Sequence, residues 1–405
     1  MRSFGVCAIL LALAAVAPSP EGRTGYESLW GLGVLLLLAV TAQGVLARAG
    51  LPALTAWILG AYLLGPSALD AIDASREPLL SLAGTGSGVW AGLLVGLGAR
   101  WPTERRSRWL PLVVAGSTLV TFAALTAVFG LAGRLPLPVA LVLAAIASFW
   151  GPLVADFQRG RETQVIALLG SAIALLLLAA VLLLEAGSRW VAPEARDWLA
   201  LLVLSGAGGA AAAQVLRWTG ILERRDGSLL ALGALTLVGA CWAFHAGLPS
   251  LPIGLGAGLL LGAREGPGGD LARRLAPVRP ISILLFAALL VVSSDALSLV
   301  PPRSSWPYQI LLAQLGVLLA ARVVGPALWY PLPASGEFSR GSGWLLLPRG
   351  IIAGDLVLGD GAFAAFLSPE HGDLLRRVVL ADLLLCGVIL AALAAWGRRR
   401  GSGGD

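Results

Sequence analysis

The chain has 405 residues, 57% of them hydrophobic and only 13% charged. A soluble domain carries about 25% charged residues, and a single soluble core stops growing long before it could hide this much apolar side chain. The composition excludes a cytosolic enzyme, a nucleic-acid binder and a disordered tail protein, and points to an all-α polytopic membrane protein.

In chain order, Met1-Arg2 precedes a short apolar run, 4–17, that ends in Ala15-Val16-Ala17 and then Pro18. The run is short for a span of about 20 residues. Residues 1–20 are therefore expected to be a signal peptide, or an uncleaved extra N-terminal helix. Thirteen apolar segments follow, near 29–47, 52–66, 78–99, 109–131, 137–155, 163–185, 197–216, 228–247, 249–263, 280–298, 306–329, 342–361 and 374–396. Backbone groups find no water in lipid, so these are expected to be about 13 transmembrane helices. Residues 397–405 are left as a short cytoplasmic tail.

The net charge is +6, and every basic residue other than the two histidines is Arg. The arginines concentrate in loops 100–108, 217–225 and 264–279 and at Arg398 to Arg400, which alternation places on one side. The opposite loops carry fewer, and they hold Asp70, Asp73 and Glu77. Cytoplasmic loops collect positive charge, so the N-terminus is expected outside and the C-terminus inside, in the inner (plasma) membrane of a bacterium. Cys7, Cys241 and Cys386 lie within apolar runs, and His245 and His371 have no Cys or carboxylate at ligand spacing. No metal site, disulfide framework, cofactor or nucleic-acid partner is expected.

Segment 78–99 carries Gly84, Gly88, Gly92 and Gly96, and segment 249–263 carries Gly254, Gly258 and Gly262. Glycine at every fourth position makes a flat helical stripe that lets a neighbouring backbone approach. Tight packing is the plain interpretation, and a sliding surface between two bundles the sharper one. Two segments contain breakers at mid-depth: Ser148-Phe149-Trp150-Gly151-Pro152, and Pro348-Arg349-Gly350. Proline removes a donor and clashes with the preceding turn. Each break lies in the middle helix of a triplet, 109–185 and 306–396, and the triplets start with opposite orientation. Matched interruptions of this kind mark transport sites.

Four charged residues sit well inside segments: Arg322, Arg349, Asp355 and Asp382. A central charge costs about 2.5–3.5 kcal/mol on insertion scales, so two positive and two negative groups suggest pairing, Arg322 with Asp355 or Asp382. Either this is an ion-pair cluster holding the last helices together, or Asp355 is a titrating acid. Ser148 and Ser171 either satisfy carbonyls freed by the break or line a site. Trp101, Trp109, Trp190 and Trp198 at helix ends read as interfacial anchors, and His245 as an interfacial polar residue.

Leu51-Pro52 with Gly60-Ala61-Tyr62-Leu63-Leu64-Gly65-Pro66-Ser67 resembles the early L-P…G-x-L-L-G-P-S helix of the cation:proton antiporter superfamily, in its Kef/NapA-like sodium/hydrogen exchanger branch. The glycine-rich run 89–98, Gly247-Leu248-Pro249-Ser250 with Leu255-Gly256-Ala257-Gly258, Arg322, and Pro348-Arg349-Gly350 resemble later family segments in the same order. The resemblance covers 29–396 and makes that stretch an antiporter-like transmembrane domain. It implies two inverted repeats with a pair of broken helices crossing at mid-membrane, alternating access around a midplane ion site, exchange of a monovalent cation against a proton, and a homodimer in the bilayer. The chain departs from the family where members carry an acidic pair: no acid lies between Glu162 and Glu185, and Trp150-Gly151-Pro152 stands where a small polar residue usually precedes the proline. The implied function is therefore an antiporter-like transporter with an altered or degenerate ion site. Alternatives are a non-transporting scaffold or regulatory homologue, and a carrier of an anionic or neutral solute.

Overall fold

The computed structural model describes residues 33–38, 40–41, 53–65, 78–99, 110–149, 161–223, 225–264, 270–275, 278–293, 351–358, 363–381 and 383. Among these the secondary structure is helical: α1 Ala53–Leu64, α2 Pro78–Gly98, α3 Leu110–Ala127, α4 Leu137–Ala147, α5 Arg161–Glu185, α6 Ala195–Trp218, α7 Arg225–Ala246, α8 Ser250–Arg264, α9 Asp270–Leu275, α10 Arg279–Ser293 and α11 Ile351–Leu358. No strand occurs among the described residues, only an isolated antiparallel bridge between Val191 and Leu367. Five stretches are long and apolar enough to cross a membrane: Ser81–Gly98, Val114–Leu131, Leu168–Glu185, Ala195–Trp218 and Ser228–Ala246. Leu137–Ala147, Ser250–Ala263 and Ile281–Val292 are apolar but shorter. Large apolar side chains such as Leu176, Leu184, Leu230 and Val238 remain exposed. Water would penalise that surface, and a bilayer accepts it.

The helices pack in two groups. Around α8 gather α2, α6 and α7, and α10 lies against α1 and α2. In the other group α3, α4 and α5 pack on one another. Helix α11 touches both α10 and α8.

The α2–α8 contact explains the glycine stripes. They face each other with the chains parallel, and a methyl group on Gly92, Gly96, Gly254, Gly258 or Gly262 would strike backbone rather than side chain. A Cβ on Gly92 would meet Leu251 O and lie 2.8 Å from Leu255 N; one on Gly96 would lie 2.6 Å from Leu259 N. In return, a Cβ on Gly254 would meet Val89 O, and one on Gly258 would meet Leu93 O. On its other flank α8 meets α6 in the same way, through Gly256 against Gly206 O and Gly209 against Ile253 O. The stripes therefore serve tight packing, backbone against backbone, between α8 and its two neighbours.

One tryptophan expectation is corrected. Trp198, in the first turn of α6, is only 3% exposed and not an interfacial anchor. Phe363 and Phe366 cover it at ring-centroid distances of 5.3 and 6.3 Å. Their segment is stapled over the α5–α6 linker: Ala192 N–H donates to Phe366 O (2.8 Å) and Ser368 N–H to Trp190 O (3.3 Å). Trp190 is half-buried, with the Arg189 guanidinium 4.2 Å above its ring. Trp101 and Trp109 lie outside the described residues.

Candidate functional site

The first interruption is visible as a helix end. Helix α4 has 11 residues, about 16 Å at 1.5 Å per residue, roughly half of the 30 Å hydrocarbon core. It starts with Pro136 as N-cap and Pro138 in the first turn, where a missing N–H costs nothing. It closes at Ser148 (φ −89°, ψ −1°), which tightens the last turn. Ser148 Oγ donates to Ala144 O (2.7 Å) and Phe149 N–H donates to Ile146 O (3.2 Å). Both residues are buried, at 1% and 2% exposure. A helix end inside protein must satisfy its last carbonyls, and the Ser148 hydroxyl serves its own helix in this way. Trp150, Gly151 and Pro152 lie outside the described residues.

On the other side, α11 begins at Ile351, directly after Pro348-Arg349-Gly350, and has 8 residues. It carries Asp355, 2% exposed and the one buried carboxylate among the described residues. Its oxygens face the start of α8: Leu251 N–H donates to Oδ2 (3.0 Å) and Ser250 Oγ donates to Oδ1 (3.2 Å). The first four amides of a helix have no partner of their own, and the N-terminus carries about half a positive charge. A carboxylate from another helix supplies what Ser250 and Leu251 lack, through charge-assisted bonds.

The sequence places that helix start deep in the protein. Gly247 (φ 61°) ends α7 in a left-handed turn, and Leu248 N–H donates back to Ala243 O (2.9 Å). This is the six-to-one bond of a Schellman ending. Pro249 then stops the old helix, and Ser250 opens the new one. A Cβ on Gly88, the midpoint of α2, would meet Ser250 Oγ. The amide terminus of α8 therefore lies about 15 Å from either end of α2 along its axis. Asp355 and a helix N-terminus meet near the level where a membrane is thickest in hydrocarbon.

Beside this pair is a cavity of about 270 Å³. It is bounded by Phe149 at the end of α4, Ser171 and Leu175 of α5, Leu202 of α6, Leu251 of α8 and Leu356 of α11. The residue after Ser148, the residue after Asp355, and Ser171 itself thus line one space. The two short helices border it from different sides. Arg322, Arg349 and Asp382, with Pro348 and Gly350, lie outside the described residues. His245 is exposed at the end of α7, as an interfacial residue would be. No group of three or more His, Cys, Asp or Glu that could hold a metal occurs among the described residues.

The sequence singled out Asp355 but not its donors. The available signal was Ser250 followed by Pro252, a combination that marks a first helical turn. Such a turn inside a membrane needs an acceptor from elsewhere.

No protein-family model matches the chain, and no curated protein matches it in sequence. Solved structures do match, 42 chains in all. Among them is the sodium proton antiporter MjNhaP1 from Methanocaldococcus jannaschii at pH 8. It aligns with a TM-score of 0.58 and 15% identity over 91% of this chain and 96% of that chain. At this identity the likeness shows the fold: an all-α membrane protein with the architecture of a sodium proton antiporter.

Proposed function

We propose that this chain is a transporter that exchanges a monovalent cation against protons across the inner membrane by alternating access, with Asp355 as the group that binds each in turn. The observation that carries the proposal is the buried carboxylate at the mid-depth amide terminus of α8. An exchanger needs a site that accepts a proton in one half-cycle and a cation in the other, and an intramembrane acid is the default candidate. The sixth apolar segment, where related sequences carry their acids, offers only Ser171 within its core. Asp355 is the acid left beside the interruption. Supporting it are the two short helices around one space, the antiporter architecture of the matched structure, and the deep helix terminus that holds the carboxylate in place. In this proposal Arg322, Arg349 and Asp382 complete the polar crossing, so that two positive and two negative groups balance.

The test is flux through purified protein in liposomes. With a proton gradient imposed, added sodium or potassium should dissipate it in a pH-dependent manner, and Asp355→Asn should abolish that response. A wild-type protein that moves neither ion, or an Asp355→Asn variant that exchanges as well as wild type, overturns the proposal. The first of these results would favour a scaffold or regulatory role.

A further inference from the structure

The cavity has a second property, independent of any ion exchange. Among its described lining residues only Ser171 has a polar side chain. A space of this kind does not hold water, which needs two to four polar partners, and offers no set of oxygens for a hydrated cation. It lies on the α8 stretch from Leu251 to Leu259, about 12 Å of axis at 1.5 Å per residue. One hydrocarbon leaflet is about 15 Å deep, half of the 30 Å core. Because α8 starts at mid-depth and runs to Arg264, the cavity occupies the half of the membrane on the Arg264 side.

Its mouth opens on the membrane-facing surface. Val203 of α6 is 68% exposed and Leu259 of α8 41% exposed, and Ala172 of α5 is also exposed. The floor is made shallow by Gly206 and Gly256, where α6 and α8 approach backbone to backbone. We propose that this cavity is a binding site for one acyl chain of a bilayer phospholipid, taken from the leaflet at the Arg264 end. The chain enters between Val203 and Leu259, with its methyl end toward Leu251. The stretch at that end, 264–279, carries Arg264, Arg273, Arg274 and Arg279 against Glu265 and Asp270, a net positive charge that draws anionic headgroups. This charge is why the occupant is a phospholipid and not a free hydrocarbon. Seated there, the chain fills the junction between α5 of one helix group and α6 and α8 of the other. Its methyl end lies against Leu251, whose own amide holds Asp355.

The experiment uses the full chain in phosphatidylcholine and phosphatidylglycerol liposomes containing a phospholipid with a diazirine on one acyl chain. After photolysis, labelled peptides are mapped by mass spectrometry. The expected result is labelling of residues 168–175 and 251–259 several-fold above the face of α7 around Leu237 and Val238, which are 66% and 67% exposed and serve as the bulk-lipid reference. Ala172→Trp, which fills the mouth, should lower the cavity labelling to the reference and leave α7 unchanged. Equal labelling of cavity and α7 in the wild-type protein overturns the proposal, and this arm needs no variant to fold. Labelling by a diazirine fatty acid but not by the phospholipid also overturns it, as does cavity labelling that persists in a folded Ala172→Trp protein.

Discussion

Replacing Asp355 by Asn and by Ala separates its charge from its hydrogen bonds. Asp355 accepts from Leu251 N–H at 3.0 Å and from Ser250 Oγ at 3.2 Å. An Asn side chain keeps one acceptor oxygen and gains two donors. Its oxygen can take the Leu251 N–H, and its nitrogen can donate to the Ser250 hydroxyl, which rotates to accept. Of these two bonds Asp355→Asn therefore loses neither, only the charge. That removes an attraction to the helix terminus of about 0.3–2 kcal/mol, and it also removes the cost of a central charge, about 2.5–3.5 kcal/mol on insertion scales. The net of these two effects is a gain of about 0.5–3 kcal/mol. Asp355→Ala leaves the Leu251 amide unpaired in a dry site, at about 1–3 kcal/mol, and opens a small void. It should be clearly destabilised. Thermal unfolding in detergent, followed by tryptophan fluorescence, measures both. Equal destabilisation by Asn and Ala would refute the assignment, because the carboxylate would then be held by its charge and not by the α8 terminus.

Three further outcomes follow from the same geometry. Gly258→Ala drives a methyl into Leu93 O, with Leu97 N 2.9 Å away. Since neither backbone can give, the protein should lose about 1–3 kcal/mol or more. Gly116→Ala in α3, where nothing lies within 4 Å, should gain about 0.5–1 kcal/mol; chemical denaturation of the two variants should move in opposite directions, and a parallel shift contradicts the packing. Trp198→Ala should cost about 3–5 kcal/mol, because the ring is buried under Phe363 and Phe366; a change as small as that of an exposed tryptophan would show that the segment does not cover it. His371, which precedes the last apolar segment, is held below the usual imidazole value by burial, while Glu370 pulls the other way. Its Nδ1 lies 2.6 Å from Ser368 Oγ, and its ring meets Trp190 edge-on at 5.1 Å. With the folded value depressed, the unfolded state binds more protons. The stability it contributes is present above about pH 6.5 and is lost as the pH falls. Hydrogen exchange in 187–192 and 366–372 should therefore quicken on acidification in wild type and much less in His371→Gln; identical pH dependence in both would exclude His371 as the cause.

What was legible in the sequence was set by the solvent and by local chain chemistry. A bilayer leaves a long apolar run no choice but a helix, so the described helices other than the short α9 fall where the apolar segments run. Proline and glycine act on their own turns, so the end of α4 at Ser148 was readable from the Trp150-Gly151-Pro152 that follows it. Even the glycine stripes announced close packing, although not which backbone each would meet. Tertiary structure decided the rest. The partner of Asp355 is an amide 104 residues away in the chain, and a backbone N–H has no sequence signature of its own. Its place in the first turn of α8 leaves that amide without a carbonyl, and its burial leaves it without water. Trp198 sits at a helix end, where sequence suggests an interface, but an aromatic turn from another segment folds over it. The apolar cavity exists because five separate elements stop short of one another there, and no one of them encodes the gap.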